Sequence, residues 1–272
     1  MPMNHRSIVG RPAMITGAAS GIGRSLARRL SRSGSPVAIA DIDEAALNER
    51  VADITKRHGR DAAIGVKLDV TDEMAVIASF EAAARAFGGV DIVVSNAGIA
   101  SASPVEDTSL ELWQKNMDIL ATGYFLVSRE AFRLMQSQKI GGAIIFIASK
   151  NGLAASPGAS AYCAAKASEI HLARCLALEG AVHGIRVNTV NPDAVLRGSK
   201  IWEGEWRQQR AASNKVSEDQ LEEVYRQRSM LKLSVFPEDI AEGVYFFASD
   251  LSAKSTGNIL NVDAGNAQAF PR

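Results

Sequence analysis

The sequence predicts an α/β protein whose seven strands form a doubly wound, mostly parallel sheet with helices on both faces. Three observations carry that reading. Short β-branched runs alternate with longer amphipathic stretches along almost the whole chain, the pattern of right-handed βαβ crossovers. A glycine-rich turn, TGAASGIG, follows the first run directly. The length of 272 residues, 47% of them hydrophobic, is enough for one large domain with a sizeable core.

The strand signals fall at residues 13–16, 37–40, 64–68, 92–95, 143–148, 186–190 and 259–262. Helical periodicity covers residues 23–33, 44–58 and 72–87 between the first four. No internal repeat or low-complexity tract is visible. One stretch breaks the rhythm. Residues 197–233 are polar, carry Trp202, Trp206 and Tyr225, and have no strand signal. They read as a helical insertion between the sixth and seventh strands of a single domain spanning 1–272.

Bulk properties exclude several classes. The formal net charge is zero, so neither nucleic acid nor an anionic membrane surface is the expected partner. No apolar run reaches the ~18 residues of a membrane span. Arg11 and Pro12 interrupt the N-terminal stretch before a signal-peptide core can form. Only two cysteines, Cys163 and Cys175, are present, too few for a disulfide framework, so a reducing cytoplasm fits. No metal-ligand set is read.

The first strand runs into Thr16–Gly23 and a helix follows at once. Gly17, Gly21 and Gly23, with Ser20 and Ile22 between them, allow backbone N–H groups to approach a diphosphate at a helix N-terminus. Asp41 ends the second strand, where a carboxylate accepts from both hydroxyls of an adenosine ribose and repels a 2′-phosphate. This points to NAD as cofactor. Asp43 is better placed than Asp41 to cap the next helix. Asp69 and Val70 end the third strand and Asn96, Ala97 and Gly98 the fourth, all at the strand ends where open parallel sheets bind ligands.

The chemistry reads from FIASKNGLAASPGASAYCAAK, residues 146–166. Ser149 ends the fifth strand. Tyr162 and Lys166 stand four apart, on one face of a helix. A phenol with a reference pKa of ~10 is a poor base at neutral pH, and a nearby ammonium favours its phenolate. Tyr162 is then a candidate general acid/base, with Ser149 donating to the substrate oxygen. An isolated Tyr-x-x-x-Lys pair is more often packing and snorkelling; here a serine and a nucleotide loop precede it.

These residues together resemble the classical short-chain dehydrogenase/reductases, over nearly the whole chain. The matching stretches are TGAASGIG, Asp41, NAG, Ser149, the Tyr162–Lys166 pair and RVNTVNPDAV. The resemblance implies a Rossmann-type sheet, a nicotinamide cofactor and hydride transfer between an alcohol and a carbonyl. It implies that Tyr162 is the acid/base, that Lys166 holds the nicotinamide ribose and tunes the tyrosine, and that Ser149 orients substrate. Backbone near Pro192 and Val195 would hold the nicotinamide amide. It also implies an oligomer, often a tetramer, with the C-terminal strand and tail at the interface. FLVSREAFRLM, IRVNTVNPDAVLRGS and TGNILNVDAGNAQAF are similar to the dehydrogenase half of bifunctional rhamnulose-1-phosphate aldolase/alcohol dehydrogenases, which handle lactaldehyde. No aldolase portion is expected, because the first strand starts near Ala13. A small polyol, sugar or hydroxyaldehyde is therefore the expected substrate class.

The chain departs from the family pattern in three places. The usual Asn-Pro-Gly reads Asn191, Pro192, Asp193; Asp193 is either a turn residue or a group facing substrate hydroxyls. The usual threonine falls at Arg197, which could contact a phosphate or an anionic substrate or stay solvated. Lys150, Asn151 and Trp202 are the remaining candidates for substrate contact; Trp202, Trp206, Arg207, Arg210 and Tyr225 form either a lid that excludes water or a local apolar staple under a surface helix pair. The third departure is in NMDILATGYF, residues 116–125. Framed by Trp113 and Gly123, the helix asparagine that relays protons to the lysine in most members is replaced by Leu120. Asn116 lies one turn earlier, about 6 Å along the axis, and is the candidate substitute. Two other readings stay open: an NAD-binding regulatory or scaffold protein with weak catalysis, and an epimerase or dehydratase on the same fold.

Overall fold

The computed structural model describes residues 7–270. The ends of the single-domain range, and the first residues of the stretch read for a signal peptide, lie outside the described residues. Seven strands form one sheet in the order β3-β2-β1-β4-β5-β6-β7. They are β1 (Ala13–Thr16), β2 (Val37–Asp41), β3 (Ala63–Lys67), β4 (Ile92–Ser95), β5 (Gly142–Ile147), β6 (Ile185–Pro192) and β7 (Ile259–Val262). Every neighbouring pair is parallel. The chain winds outward from β1 to β3 and then returns to place β4 beside β1. That reversal opens a crevice at the strand C-terminal ends.

The helices are α1 (Gly21–Arg32), α2 (Glu44–His58), α3 (Glu73–Phe87), α4 (Leu110–Asn116), α5 (Gly123–Gln138), α6 (Ser160–Gly180), α7 (Glu205–Asn214), α8 (Leu221–Arg228) and α9 (Pro237–Ala248). Asp43 caps α2 by accepting from Ala46 N, and Asp72 caps α3 by accepting from Met74 N and Ala75 N. The periodicity places residue 72 inside the helix; its carboxylate makes it the cap. Gly88 follows α3 with φ 83°, a left-handed stop.

The central strands are buried on both faces, as parallel strands under two helix layers must be. Alternation along them splits the core. Ala13, Ile15, Ile145 and Ile147 face a layer with Leu26, Leu30, Ile240, Val244 and Phe247 from α1 and α9. Met14, Ile144 and Phe146 face the opposite layer, with Val76, Phe80, Val127 and Met135 from α3 and α5. A third apolar cluster lies beyond the strand ends and joins Leu120, Tyr162, Leu196, Trp202, Trp206 and Leu221. It forms because residues between β6 and α9 fold as a short 3-10 turn (Lys200–Trp202), α7 and α8. This is the helical insertion read from residues 197–233.

Between α4 and α5 the chain takes a π-helical turn, Met117–Thr122. Such turns are single insertions of extra backbone, frequent near functional sites. This one seats Leu120, fully buried, against the cluster that contains Tyr162. Gly123 follows where a Cβ would stand 2.8 Å from Val70 Cγ2, so the rod packs too closely on the end of β3 for a side chain.

Candidate active site

A cleft of about 460 Å³ opens along the C-terminal ends of β1, β4, β5 and β6. Its first end is the glycine turn. Gly17 and Gly21 have φ 64° and 53°, values that favour glycine. Gly23 is tighter: a Cβ there would lie 2.0 Å from Gly17 O and 2.7 Å from Asn96 Nδ2. Asn96 fixes the turn by donating to Thr16 O at 2.9 Å and Gly17 O at 3.0 Å. Ser20 is the N-cap residue of α1 and makes no side-chain cap hydrogen bond. Backbone donors at a helix start around a side-chain-free cradle suit a diphosphate.

Asp41 stands at the edge of the same cradle. Its carboxylate accepts from Ala19 N at 2.9 Å and Asp43 N at 3.0 Å. Those bonds aim the carboxylate while lone pairs remain for other donors. Lys200, from the start of the insertion, donates to Asp43 Oδ2 at 3.0 Å and so brings the insertion over this end. Asp69 binds Thr71 through both its N–H and hydroxyl. The arrangement fits an adenine dinucleotide: a diphosphate cradle, an acidic ribose position, and open strand ends between them.

The opposite end holds Ser149, Tyr162 and Lys166. Ser149 Oγ accepts from Asn151 N at 3.1 Å, which leaves its proton free to donate. Burial pushes the Tyr162 phenol well above its ordinary range, while a hydrogen bond with the Ser149 hydroxyl pulls it down. Lys166 Nζ lies 5.9 Å from the Tyr162 ring centroid and 5.2 Å from that of Tyr124. It donates to Ile147 O at 3.1 Å and to the two oxygens of Glu169 at 3.0 and 3.1 Å. Tyr124 donates to the same Ile147 carbonyl at 2.8 Å. Burial pushes the Glu169 carboxyl up against the opposing pull of the ammonium.

Beyond Tyr162 an aromatic wall closes the cleft. Tyr162 and Trp206 have ring centroids 5.7 Å apart, Trp206 and Trp202 5.9 Å, Trp202 and Tyr225 5.6 Å. The Arg210 guanidinium sits 4.9 Å from the Trp206 ring and donates to Pro157 O and Ser213. Polar groups interrupt the wall. Lys150 donates to Ser156, which donates to Asn151 Oδ1. Asp193 accepts from Asn266 at 2.9 Å, and burial raises its carboxyl. It also faces a neighbouring cavity that Lys150 and Arg228 share. Its side chain thus has a partner and a cavity beyond the turn. The residue after it, Ala194, takes the left-handed φ of 52°.

Of the residues assigned from sequence, all but Arg197, Arg207 and Asn116 line the cleft; Arg207 donates to Glu218 O at 2.9 Å on the insertion's own surface. Arg197 takes the solvated alternative and not the phosphate or substrate contact: its side chain is largely exposed and ion-pairs with Glu222 at 2.8 Å. Asn116 is buried, but its amide is committed. It donates to Ser101 and Leu112 O, both at 2.8 Å, and accepts from Ser101. Nothing directs it toward Lys166. Glu169 was missed. The available signal was an acidic residue three positions after Lys166 in one helix, which puts both on one face.

Comparison with known proteins agrees with this geometry. A family model described as enoyl-(acyl carrier protein) reductase matches residues 17–267. The uncharacterized oxidoreductase YuxG of Bacillus subtilis (strain 168) is 50% identical over 260 residues; these are 96% of this chain but 38% of that relative, so the chain spans well under half its length. D-threitol dehydrogenase of Mycolicibacterium smegmatis is 33% identical, over 94% of this chain and 92% of its own. Among solved structures, sorbitol-6-phosphate 2-dehydrogenase SrlD from Erwinia amylovora superposes with a TM-score of 0.89 at 33% identity, covering 94% of this chain and 99% of that one. Members of this group bind a nicotinamide cofactor, and the cradle described above fits one. The chain belongs to the short-chain dehydrogenase/reductase family of oxidoreductases.

Proposed function

We propose that the protein is an NAD-dependent dehydrogenase that transfers hydride between an alcohol and its carbonyl on a small polyol, sugar or hydroxyaldehyde. The observation that carries the reading is one cleft with Asp41 and the glycine cradle at one end and Ser149, Tyr162 and Lys166 at the other. NAD, when bound, supplies the hydride acceptor and a positive ring that favours the Tyr162 phenolate. Ser149 keeps the substrate oxygen near Tyr162 by donating to it. Tyr162 takes the hydroxyl proton during oxidation and returns it during reduction. The aromatic wall of Trp202, Trp206 and Tyr225 limits water around the reacting carbon.

The substrate class rests on the lining. Lys150, Asn151, Asp193 and Arg210 offer donors and acceptors among aromatic faces, which suits a short chain of hydroxyl groups. Two relatives named above are dehydrogenases of a polyol and a polyol phosphate. A lactaldehyde-like substrate belongs to the same class, in line with the likeness to aldolase-linked dehydrogenases. The double-bond reduction in the family description is not our reading, because the three polar residues converge on proton transfer to oxygen. A homotetramer in the cytoplasm completes the proposal, the assembly carried by family resemblance alone. Incubating the protein with NAD or NADP and a panel of polyols, sugars and hydroxyaldehydes tests it. NADH formation with at least one of them is expected. No reduction of either cofactor by any member would overturn the activity, and preference for NADP would overturn the cofactor.

A further inference from the structure

Lys166 is enclosed in an unusual way. Its ammonium has three donors, and the protein meets them with Ile147 O and both oxygens of Glu169, at 3.0 to 3.1 Å. Glu169 is 0% exposed and Lys166 5%. Gly98 borders both Lys166 and the π-helical turn: a Cβ built on it would stand 3.1 Å from Leu120 Cδ2 and 4.0 Å from Lys166 Nζ, and the fully buried Leu120 has no group to bond the ammonium. Asn116, the nearest amide on that rod, is occupied by Ser101 and Leu112. A buried carboxylate is thus the counter-charge of this lysine.

We propose that Glu169 is a positioning residue for the reaction: it anchors Lys166 below Tyr162 and, through its charge, sets the pH at which Tyr162 works. The anchoring follows from the contacts. Removing one partner of a buried ion pair leaves the other charge uncompensated, which is strongly unfavourable. The pH effect follows from sign. Lys166 favours the Tyr162 phenolate and Glu169 opposes it, so the pair together acts on the phenol far less than the lysine alone would. The charged and titratable groups facing the pair are Tyr162 on the same helix and Tyr124 on α5, with Cys163 on the same helix and Asp193 from the loop after β6 acting on Tyr162. Burial and the Glu169 charge both push the Tyr162 phenol up.

This inference rests on the alcohol–carbonyl reading of the site, and the experiment separates the two. Glu169→Gln keeps the shape and removes the charge; Glu169→Asp keeps the charge on a shorter arm; Glu169→Val removes both. With the purified full chain, NADH binding is measured by fluorescence titration and kcat/KM for the best alcohol is measured across pH. Glu169→Gln is expected to bind NADH within about 3-fold of the wild type, while the acid limb of its kcat/KM profile moves to lower pH by on the order of one unit. Glu169→Asp is expected to keep the wild-type limb even where turnover is lower. Glu169→Val is expected to bind NADH about 10-fold or more weakly, because Lys166 loses its anchor. An acid limb in Glu169→Gln that stays in place or moves to higher pH overturns the charge role. Glu169→Val binding NADH like the wild type overturns the anchoring role. If no alcohol is turned over by the wild type, the functional reading fails by itself, and the NADH titrations still judge the anchor.

Discussion

Asp41→Ser is the most informative change at the cofactor end. The Asp41 oxygens are held by the Ala19 and Asp43 N–H groups at 2.9 and 3.0 Å, and each retains a lone pair for a ribose hydroxyl. A hydrogen bond to a charged acceptor contributes about 1.5–3 kcal/mol. Loss of the carboxylate should therefore weaken NAD by roughly 10- to 100-fold. The same carboxylate about 4 Å from a 2′-phosphate costs about 1–4 kcal/mol, between water-like and surface-like screening. Its removal should raise kcat/KM for NADP by roughly 10-fold. The two effects multiply, so the preference for NAD falls by about 10²- to 10³-fold. Steady-state rates with each cofactor at one saturating alcohol concentration give the ratio. Any loosening of the turn where Ala19 and Asp43 lose their acceptor lowers both rates alike and cancels. A preference within about 3-fold of the wild type, less than 1 kcal/mol, would refute the role of Asp41.

Three further outcomes are expected. Gly23→Ala puts a methyl group 2.0 Å from Gly17 O; overpacking of about 1–3 kcal/mol should weaken NADH binding about 10- to 100-fold with helix content unchanged by circular dichroism, and wild-type affinity would show that the cradle is looser than described. Trp206→Leu removes the ring between Tyr162 and Arg210 and should raise KM for the alcohol by about 10-fold, roughly the value of an aromatic pair, with KM for NAD little changed; equal effects on both would place Trp206 outside the substrate wall. Hydrogen bonds from Arg57 and then Arg28 hold the Asp53 carboxyl down at about 2. Because the folded value lies below the ordinary ~3.9, this contribution is complete above that pH and fades as pH falls toward 2. The wild-type melting temperature should then drop more than that of Asp53→Asn between pH 7 and pH 3, by a small margin for so exposed a cluster; parallel curves would remove the ion pairs from the account of acid stability.

Much of this was legible because the signals are local. The strands at 13–16, 92–95 and 259–262 match the observed bounds, since β-branched runs ended by turn residues specify a buried parallel strand within a few positions. Asp43 is the cap of α2 for the same reason. The glycine cradle and the Tyr162–Lys166 face follow from spacing in one turn or one helix. What was hidden depends on distant partners. Arg197 is drawn off by Glu222, which its own surroundings in sequence do not indicate. Asn116 gives its amide to Ser101, fifteen residues earlier. Glu169 stands three positions after Lys166 and shares its face, but its weight shows only once folding buries the pair beside Ile147 and leaves the carboxylate as the counter-charge. The π-helical turn at Met117–Thr122 has no residue signature comparable to a proline or a cap, and packing against Val70 shapes its exit at Gly123.

The proposed mechanism turns on Tyr162 taking the proton from the substrate oxygen and returning it. The most direct measurement is kcat for Tyr162→Phe on the best alcohol, alongside NADH affinity. The phenyl ring preserves the contact with Trp206 and the buried shape, so NADH should bind as it does to the wild type. Turnover should fall by about 10²- to 10⁴-fold, the usual worth of a positioned acid/base. Tyr162→Phe turning over at the wild-type rate would contradict the account.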